Sequence, residues 1–387
     1  MPPDSVPPAR GDVAGAAWFA GVRARGAVEC VDLEVEPERV AAGGFWAVVG
    51  DFDGPVRAWR FSDVSRDVPR ASPPTSRSEA SAPTSAPTHW RGPPSSSWST
   101  SLDRDAYVRA VQSVREDIRA GRVYQANICR VLAAPLVSPG PDDEPDAHAL
   151  ARVLAAGNPA PYAGGVHVPA ASGLPPVWVV TASPELFLRL DGDLLTSAPI
   201  KGTGVTADVM GEKDRAENVM ITDLVRNDLQ RVCVPGTVEV TSLLGVEQHP
   251  GLFHLVSVVQ GRLEPDVAAA PDRWARVLAA TYPPGSVSGA PKSSALQVIR
   301  ELETAPRGPY CGVVGWIDAD AGSAELAVGI RTFWWTADDD ADRGRPTAGT
   351  LRFGTGAGIT WGSDPAAEWE ETELKARRLI SLASTHA

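Results

Sequence analysis

Four primary amines stand out in a chain whose positive charge is otherwise carried by arginine. Of the 36 Lys plus Arg residues, only Lys201, Lys213, Lys292 and Lys375 are lysine. The two side chains are not equivalent, because a guanidinium stays protonated whereas a desolvated ammonium can lose its proton and act as a nucleophile. Their contexts are APIKGT, GEKDRAEN, SGAPKS and EETELKAR, although compositional drift toward arginine would also leave a few survivors. Two carboxylate pairs add a second chemistry. Asp214 with Glu217, and Glu368 with Glu371, are spaced i, i+3 in segments predicted to be helical, so each pair projects from one face. Hard oxygens of this kind suit Mg²⁺, which takes one or two direct carboxylates, several waters and an anionic substrate group. In a chain with 48 Asp plus Glu, the same pairs also fit a solvated helix surface.

Other candidates are ambiguous singly. His254 in FHLVS sits among apolar, strand-like residues, where a hydrogen-bonded core histidine is the default and a catalytic one the alternative. Glu185 in SPELF, Tyr310 in GPYCG and Arg331 in GIRT carry useful groups without a motif of their own. GSVSGAPKS (285–293) fails the P-loop pattern, because Ala290 and Pro291 separate Gly289 from Lys292. FGTGAGIT (353–360) is not GxGxxG and has no leading βαβ unit, but Gly354, Gly356 and Gly358 can present backbone N–H groups to a carboxylate. No Ser/His/Asp or Cys/His motif supports covalent hydrolysis.

These groups need a scaffold. The 387 residues suffice for a substantial core, and the net charge of -12 argues against nucleic acid or an anionic membrane as the main partner. Cys30, Cys129, Cys233 and Cys311 show no metal-ligand spacing and read as free thiols of a cytoplasmic protein. No apolar run reaches the roughly 18 residues of a membrane helix. Residues 1–65 form a β-rich N-terminal region with a hairpin in GGFWAVVGDFDGPVRAWRFSDV, and 66–100, rich in Pro, Ser and Thr, read as a linker or long surface loop. Residues 101–387 would then be the catalytic domain. Its helices are predicted after Ser101 up to Gly121 and over 212–230, 271–281, 291–303 and 364–384. Strand-like stretches outnumber them, which predicts an α+β fold of large antiparallel sheets packed as a sandwich with flanking helices.

Taken in order, YQANI, SPELFLRLDG, APIKGT, EKDRAENVMITDLVRNDL, HLVS, SGAPK, RGPYCGVVGWI, AVGIRT, GAGIT and SDPAAEWEETELKA resemble the chorismate-utilising enzymes. That group includes anthranilate synthase component I, aminodeoxychorismate synthase component I, and the isochorismate and salicylate synthases, and the likeness covers about residues 101–380. The resemblance implies an anthranilate synthase component I-like fold and Mg²⁺ as cofactor. Where the water-using members carry a lysine base this chain has Gln125, which cannot deprotonate water and points to ammonia as nucleophile. Anthranilate synthases usually read PIAGT; PIKGT is similar to aminodeoxychorismate synthase component I, in which the matching lysine, here Lys201, is the proposed nucleophile.

Further roles come from the same resemblance. Glu185 would be the general acid, Glu217 and Glu371 direct Mg²⁺ ligands, and Asp214 and Glu368 ligands through water. Lys375 and the amides of Gly202, Gly356 and Gly358 would meet the ring carboxylate. Arg331 and Tyr310 would meet the enolpyruvyl carboxylate, and Ser288, His254 and Thr203 would line the ring. The implied reaction is amination of chorismate to 4-amino-4-deoxychorismate, toward p-aminobenzoate, with ammonia from a glutamine amidotransferase subunit in a heterodimer. An anthranilate synthase component I, or a chorismate-binding subunit without turnover, are the alternatives. Pro284 departs from the usual glycine, and no LLES-like segment of the tryptophan-binding type is found.

Overall fold

The computed structural model describes residues 14–66, 89–138, 144–204, 211–249, 252–338 and 348–385. The N-terminal strands are β1 (Ala16–Phe19), β2 (Val22–Asp32), β3 (Phe45–Gly50) and β4 (Val56–Arg66), with the short α1 (Pro37–Ala41) between β2 and β3. Next come β5 (Ser99–Thr100), α2 (Arg104–Arg119), β6 (Gln125–Pro135), α3 (Ala147–Gly157), β7 (Tyr162–Val168), β8 (Val177–Ser183), β9 (Leu186–Asp191), β10 (Leu194–Ala198) and β11 (Ile200–Gly204). The chain continues through α4 (Glu212–Gln230), β12 (Glu239–His249), β13 (Leu252–Arg262), α5 (Pro265–Ala268), α6 (Arg273–Thr281), β14 (Gly289–Ala290) and α7 (Lys292–Leu302). It ends with β15 (Val313–Asp318), β16 (Ser323–Val328), β17 (Thr332–Ala337), β18 (Gly349–Ile359) and α8 (Pro365–Ala383).

All strand pairings are antiparallel and link the strands into one ribbon. From one end it runs β12, β13, β10, β9, β16, β15, β3, β4, β2 and β1. From β1 it continues through β7, β8, β17, β18 and β6, with β5 and β14 on β6 and β11 alongside β10 on β13. The ribbon folds back on itself: one apolar core contains Val31, Trp46, Ile128, Leu188, Val259 and Ile359, drawn from strands far apart along it. A second core sets Leu150 and Leu154 of α3 and Leu379 of α8 against Trp178, Phe333 and Phe353. The α+β antiparallel architecture read from the sequence is thus the observed one.

The N-terminal region is continuous with the rest of the sheet, since β3 pairs with β15 and β1 with β7. Of the expected linker, residues 67–88 lie outside the described residues. Its last part is built into the fold: Trp90 Nε1 donates to Ala383 O at 2.7 Å, and Trp98 Nε1 donates to Ser384 Oγ at 2.9 Å. Indole rings have apolar area to bury and an N–H that needs an acceptor, and the end of α8 supplies both.

The helices follow their sequence signals closely. Asp103 caps α2 by accepting from Ala106 N at 2.8 Å, and α4 covers 212–230 as expected. Helix α3 lies outside the helices predicted from the sequence, although five of the eleven residues of AHALARVLAAG are alanine, which favours helix, and Leu150 and Leu154 share a buried face. Helix α8 is fixed on β6 by the buried Arg130, which donates to Thr372 Oγ1 at 3.0 Å, pairs with Glu373 and lies 4.1 Å above the Trp369 ring.

Replacing Trp98 by Ala removes both its packing and its bond to Ser384 at the end of α8. The expected loss is about 2–3 kcal/mol of unfolding free energy, toward the low end for a partly exposed tryptophan, measured by urea denaturation.

Candidate active site

The two ends of the ribbon meet at Lys201. In β11 Lys201 lies opposite Leu255 of β13, and the ladder then shifts register at Gly202, whose φ of +73° is the left-handed conformation that favours glycine. A Cβ on Gly202 would also sit 3.1 Å from Asp214 Cβ, so the glycine lets α4 approach β11 closely. Lys201 extends across to the other end of the ribbon, where Nζ donates to Ser286 O at 3.0 Å, just ahead of β14. A Cβ on Gly358 of β18 would be 3.6 Å from Lys201 Nζ and 2.4 Å from Gln125 Nε2. Lys201, Gln125 and Gly358 therefore enclose one small space.

Three of the candidate polar groups are desolvated, each in its own way. Gln125 is 1 % exposed, and neither its Oε1 nor its Nε2 has a hydrogen-bond partner within the chain. Each such buried group costs about 1–3 kcal/mol until something binds it. Arg331 is largely buried, has a left-handed backbone with φ +53°, and has no carboxylate at ion-pair distance among the described residues. Desolvation pulls its guanidinium below the usual arginine range with no neighbouring charge to oppose it, which is the electrostatics of an anion site. Glu185, 3 % exposed between β8 and β9, has its carboxyl raised above the usual glutamate range by burial. The Ser286 side chain, the Lys201 charge and the Ile200 backbone oppose that rise. A carboxyl pushed toward its neutral form next to an amine is suited to act as a general acid.

The remaining candidates are distributed as follows. Lys375 Nζ donates to Gly356 O at 3.0 Å and pairs with Glu371 at 2.7 Å. Tyr310 is buried against Gly354, where a Cβ would overlap its ring at 2.0 Å, and burial pushes its phenol well up. His254 is 1 % exposed in β13, opposite Thr203. Only the backbone of Thr203 and of Lys213 is described. The Ser288 hydroxyl donates to Pro284 O at 3.0 Å, within its own loop. Lys292 has a structural task, donating to Asp228 Oδ2 at 2.7 Å and Thr281 O at 2.9 Å, which ties α7 to α4 and to the end of α6. Residues that sequence reasoning passed over are Ser286, Asp228, Glu303 and Arg307. Each lies in or beside a quoted motif, but only three-dimensional neighbours reveal its use.

The four carboxylates considered for a metal come from two helices. Asp214 and Glu217 are on α4, where Asp214 Oδ2 also accepts from Gly211 N at 3.0 Å and caps the helix. Glu368, 3 % exposed, and Glu371 are on α8. Among the described residues no group of three or more His, Cys, Asp or Glu gathers into a cage. Hard oxygens contributed by two helices nonetheless match the donor set of Mg²⁺, which keeps several waters and needs only one or two direct carboxylates.

The sequence profile of the chorismate binding enzymes matches residues 58–381. The chain belongs to that family. It is 36% identical over 291 residues to anthranilate synthase component 1 of Saccharolobus solfataricus, covering 72% of this chain and 62% of that protein. It is 34% identical over 296 residues to an aminodeoxychorismate synthase of Streptomyces griseus, covering 73% of this chain and 37% of that protein. The matches thus span about three-fifths or less of the length of these relatives. Among solved structures, anthranilate synthase component I of Streptococcus pneumoniae superposes with a TM-score of 0.69 at 23% identity, covering 98% of this chain and 94% of that one. No helix among the described residues is long and apolar enough to cross a membrane.

Two outcomes test the electrostatics of this chorismate-binding fold. Arg331→Met removes an unpaired buried cation, so the ligand-free protein should be at least as stable to urea. If Arg331 meets an anionic substrate, as its burial without a counter-charge suggests, KM for that substrate should rise about 10- to 100-fold through loss of a charge-assisted contact. Glu185 has a raised pKa, so it contributes stability below the unfolded-state value, about 4.3, that is lost as pH rises through its native value. Glu185→Gln should therefore be relatively more stable than the parent at pH 7 than at pH 4, as read from urea midpoints at the two pH values.

Proposed function

We propose that this enzyme aminates chorismate at C4 to give 4-amino-4-deoxychorismate, with Lys201 as covalent nucleophile and ammonia from a glutamine amidotransferase subunit. The observation that carries this reading is the position of the Lys201 amine, held by a neutral carbonyl beside the buried Glu185 and the unsatisfied Gln125. In the first step Lys201 Nζ bonds to C2, the ring double bonds shift, and the C4–O bond breaks as Glu185 donates a proton and water leaves. In the second, ammonia bonds to C4, the electrons return, and the C2–N bond breaks to release the Lys201 amine. The surplus proton on the new amine returns to the Glu185 carboxylate, so the sum is chorismate plus ammonia giving product plus water. Two displacements divide one difficult substitution into two easier ones and retain the geometry at C4.

Binding follows from the same groups. Arg331 takes the enolpyruvyl carboxylate, with Tyr310 nearby. Lys375 and the amides of Gly202, Gly356 and Gly358 take the ring carboxylate. Glu217 and Glu371 would hold Mg²⁺, with Asp214 and Glu368 acting through water, and the ion would supply charge neutralisation to a bound carboxylate. Gln125 offers an amide to the incoming ammonia and cannot act as a base toward water.

A second reading, C2 amination with loss of pyruvate, draws support from the likeness to anthranilate synthase component 1. Incubation with chorismate, Mg²⁺ and ammonium, followed by product identification, separates the two. Formation of 4-amino-4-deoxychorismate is expected, and anthranilate with pyruvate would overturn the first reading. Lys201→Ala should lower C4 amination by at least about 1,000-fold, as expected for loss of a nucleophile, and unchanged rate and product would refute its covalent role.

A further inference from the structure

The outer edge of β6 is incomplete where the site needs it most. One edge is fully paired with β18, from Ala126 opposite Ile359 to Pro135 opposite Thr350. Along the other edge, β14 pairs only with Gln125 and Ala126, and β5 only with Leu132 and Ala133. Ser101 serves Val131, donating N–H to its carbonyl at 2.9 Å and accepting its N–H on Oγ at 2.9 Å. Between these partners, Asn127 O and Cys129 N face a gap in the sheet.

Two charged side chains fill it. Arg307 Nη2 donates to Asn127 O at 2.6 Å, and Glu303 Oε1 accepts from Cys129 N at 2.8 Å. The two residues are joined by a bidentate pair, with Arg307 Nε to Glu303 Oε2 at 2.8 Å and Nη2 to Oε1 at 2.6 Å. Arg307 is 2 % exposed, and its guanidinium lies 4.0 Å above the Phe52 ring. Its remaining arm, Nη1, donates to Val287 O at 3.0 Å. Val287 lies between Ser286, whose carbonyl holds Lys201, and Ser288, whose carbonyl accepts from Asn127 N at 2.8 Å. Arg307 O also accepts from Tyr310 N at 3.2 Å.

We propose that Arg307 and Glu303 are positioning residues that replace a missing strand on β6 and set the spacing between Gln125, the Ser286 carbonyl and Tyr310. A planar fork suits this use, because one guanidinium addresses two backbone carbonyls and a carboxylate in fixed directions. A hydrophobic pair of equal volume would fill the space but leave Asn127 O, Val287 O and Cys129 N without partners. The strand and the loop would then be free to part by fractions of an ångström, and a reacting amine tolerates little misplacement. The inference rests on the site described above and not on which carbon is aminated.

The test uses the full chain and follows chorismate consumption with ammonium, which is blind to the identity of the product. The double variant R307M/E303M replaces the buried pair with apolar groups, a change that buried ion pairs often tolerate in stability. It should keep its circular dichroism and a cooperative thermal transition. Its kcat should fall about 30-fold or more, while KM for chorismate changes less than about threefold. The conservative R307K, which keeps the charge but not the fork, should fall in kcat by about three- to tenfold. In both, hydrogen exchange at the amides of Asn127 and Cys129 should accelerate about tenfold or more, a readout that stands whatever reaction is catalysed. A folded double variant with kcat within about threefold of the parent would overturn the proposal. If the double variant does not fold, R307K decides, and unchanged exchange or a change in KM alone would overturn it.

Discussion

The hydrogen bond from Lys201 Nζ to Ser286 O joins structural elements that the rest of the chain must bring together. Lys201 belongs to β11 near one end of an antiparallel ribbon, and Ser286 precedes β14 at the other. An open ribbon would leave these ends far apart. They meet because residues from distant strands share one apolar core, so burial of Trp46, Ile128 and Val259 on the same side folds the sheet over. The geometry of the site is therefore a consequence of global packing. Helices α4 and α8 are then laid against the two ends, α4 by the close approach at Gly202 and α8 by Arg130.

The cleft is also where the fold accepts unfavourable burial. Gln125 without partners, Arg331 without a carboxylate and Glu185 with a raised carboxyl each destabilise the ligand-free chain. Other buried charges are matched, among them Arg307 with Glu303, Arg130 with Glu373 and Lys292 with Asp228. An anion that satisfies Arg331 and a polar group that satisfies Gln125 would recover that free energy on binding, so specificity for a polar, anionic ligand follows from the same groups that weaken the free protein.

Much of this was legible in the sequence where the signal is local. The i, i+3 carboxylates, the Asp103 cap and the 212–230 helix depend on neighbours in the chain, and they appear as expected. The glycine of PIKGT likewise reveals itself through a left-handed φ. What could not be read is every relation between elements far apart in sequence. Nothing in RGPYCG indicates that Arg307 reaches back to Asn127, and nothing in GSVSGAPKS indicates that the Ser286 carbonyl holds Lys201 while the Ser288 hydroxyl turns inward to Pro284. The tryptophans of the Pro/Ser-rich segment misled for a similar reason: their composition suggests a linker, but Trp90 and Trp98 find their acceptors at residues 383 and 384.

The scarcity of lysine gains its meaning from the partners of each amine. Lys201, Lys292 and Lys375 all donate to a backbone carbonyl, of Ser286, Thr281 and Gly356 respectively. Lys292 and Lys375 also hold a carboxylate at 2.7 Å, Asp228 and Glu371. Lys201 differs: among the described residues no carboxylate lies at ion-pair distance from it, and its neighbouring acid, Glu185, is itself pushed toward the neutral state by burial. A carbonyl can orient an amine without binding its charge as strongly as a carboxylate does. Of the three described amines, Lys201 is the one beside an acid that burial pushes toward its neutral form. In the proposed nucleophilic role an arginine at this position would fail, because a guanidinium remains charged.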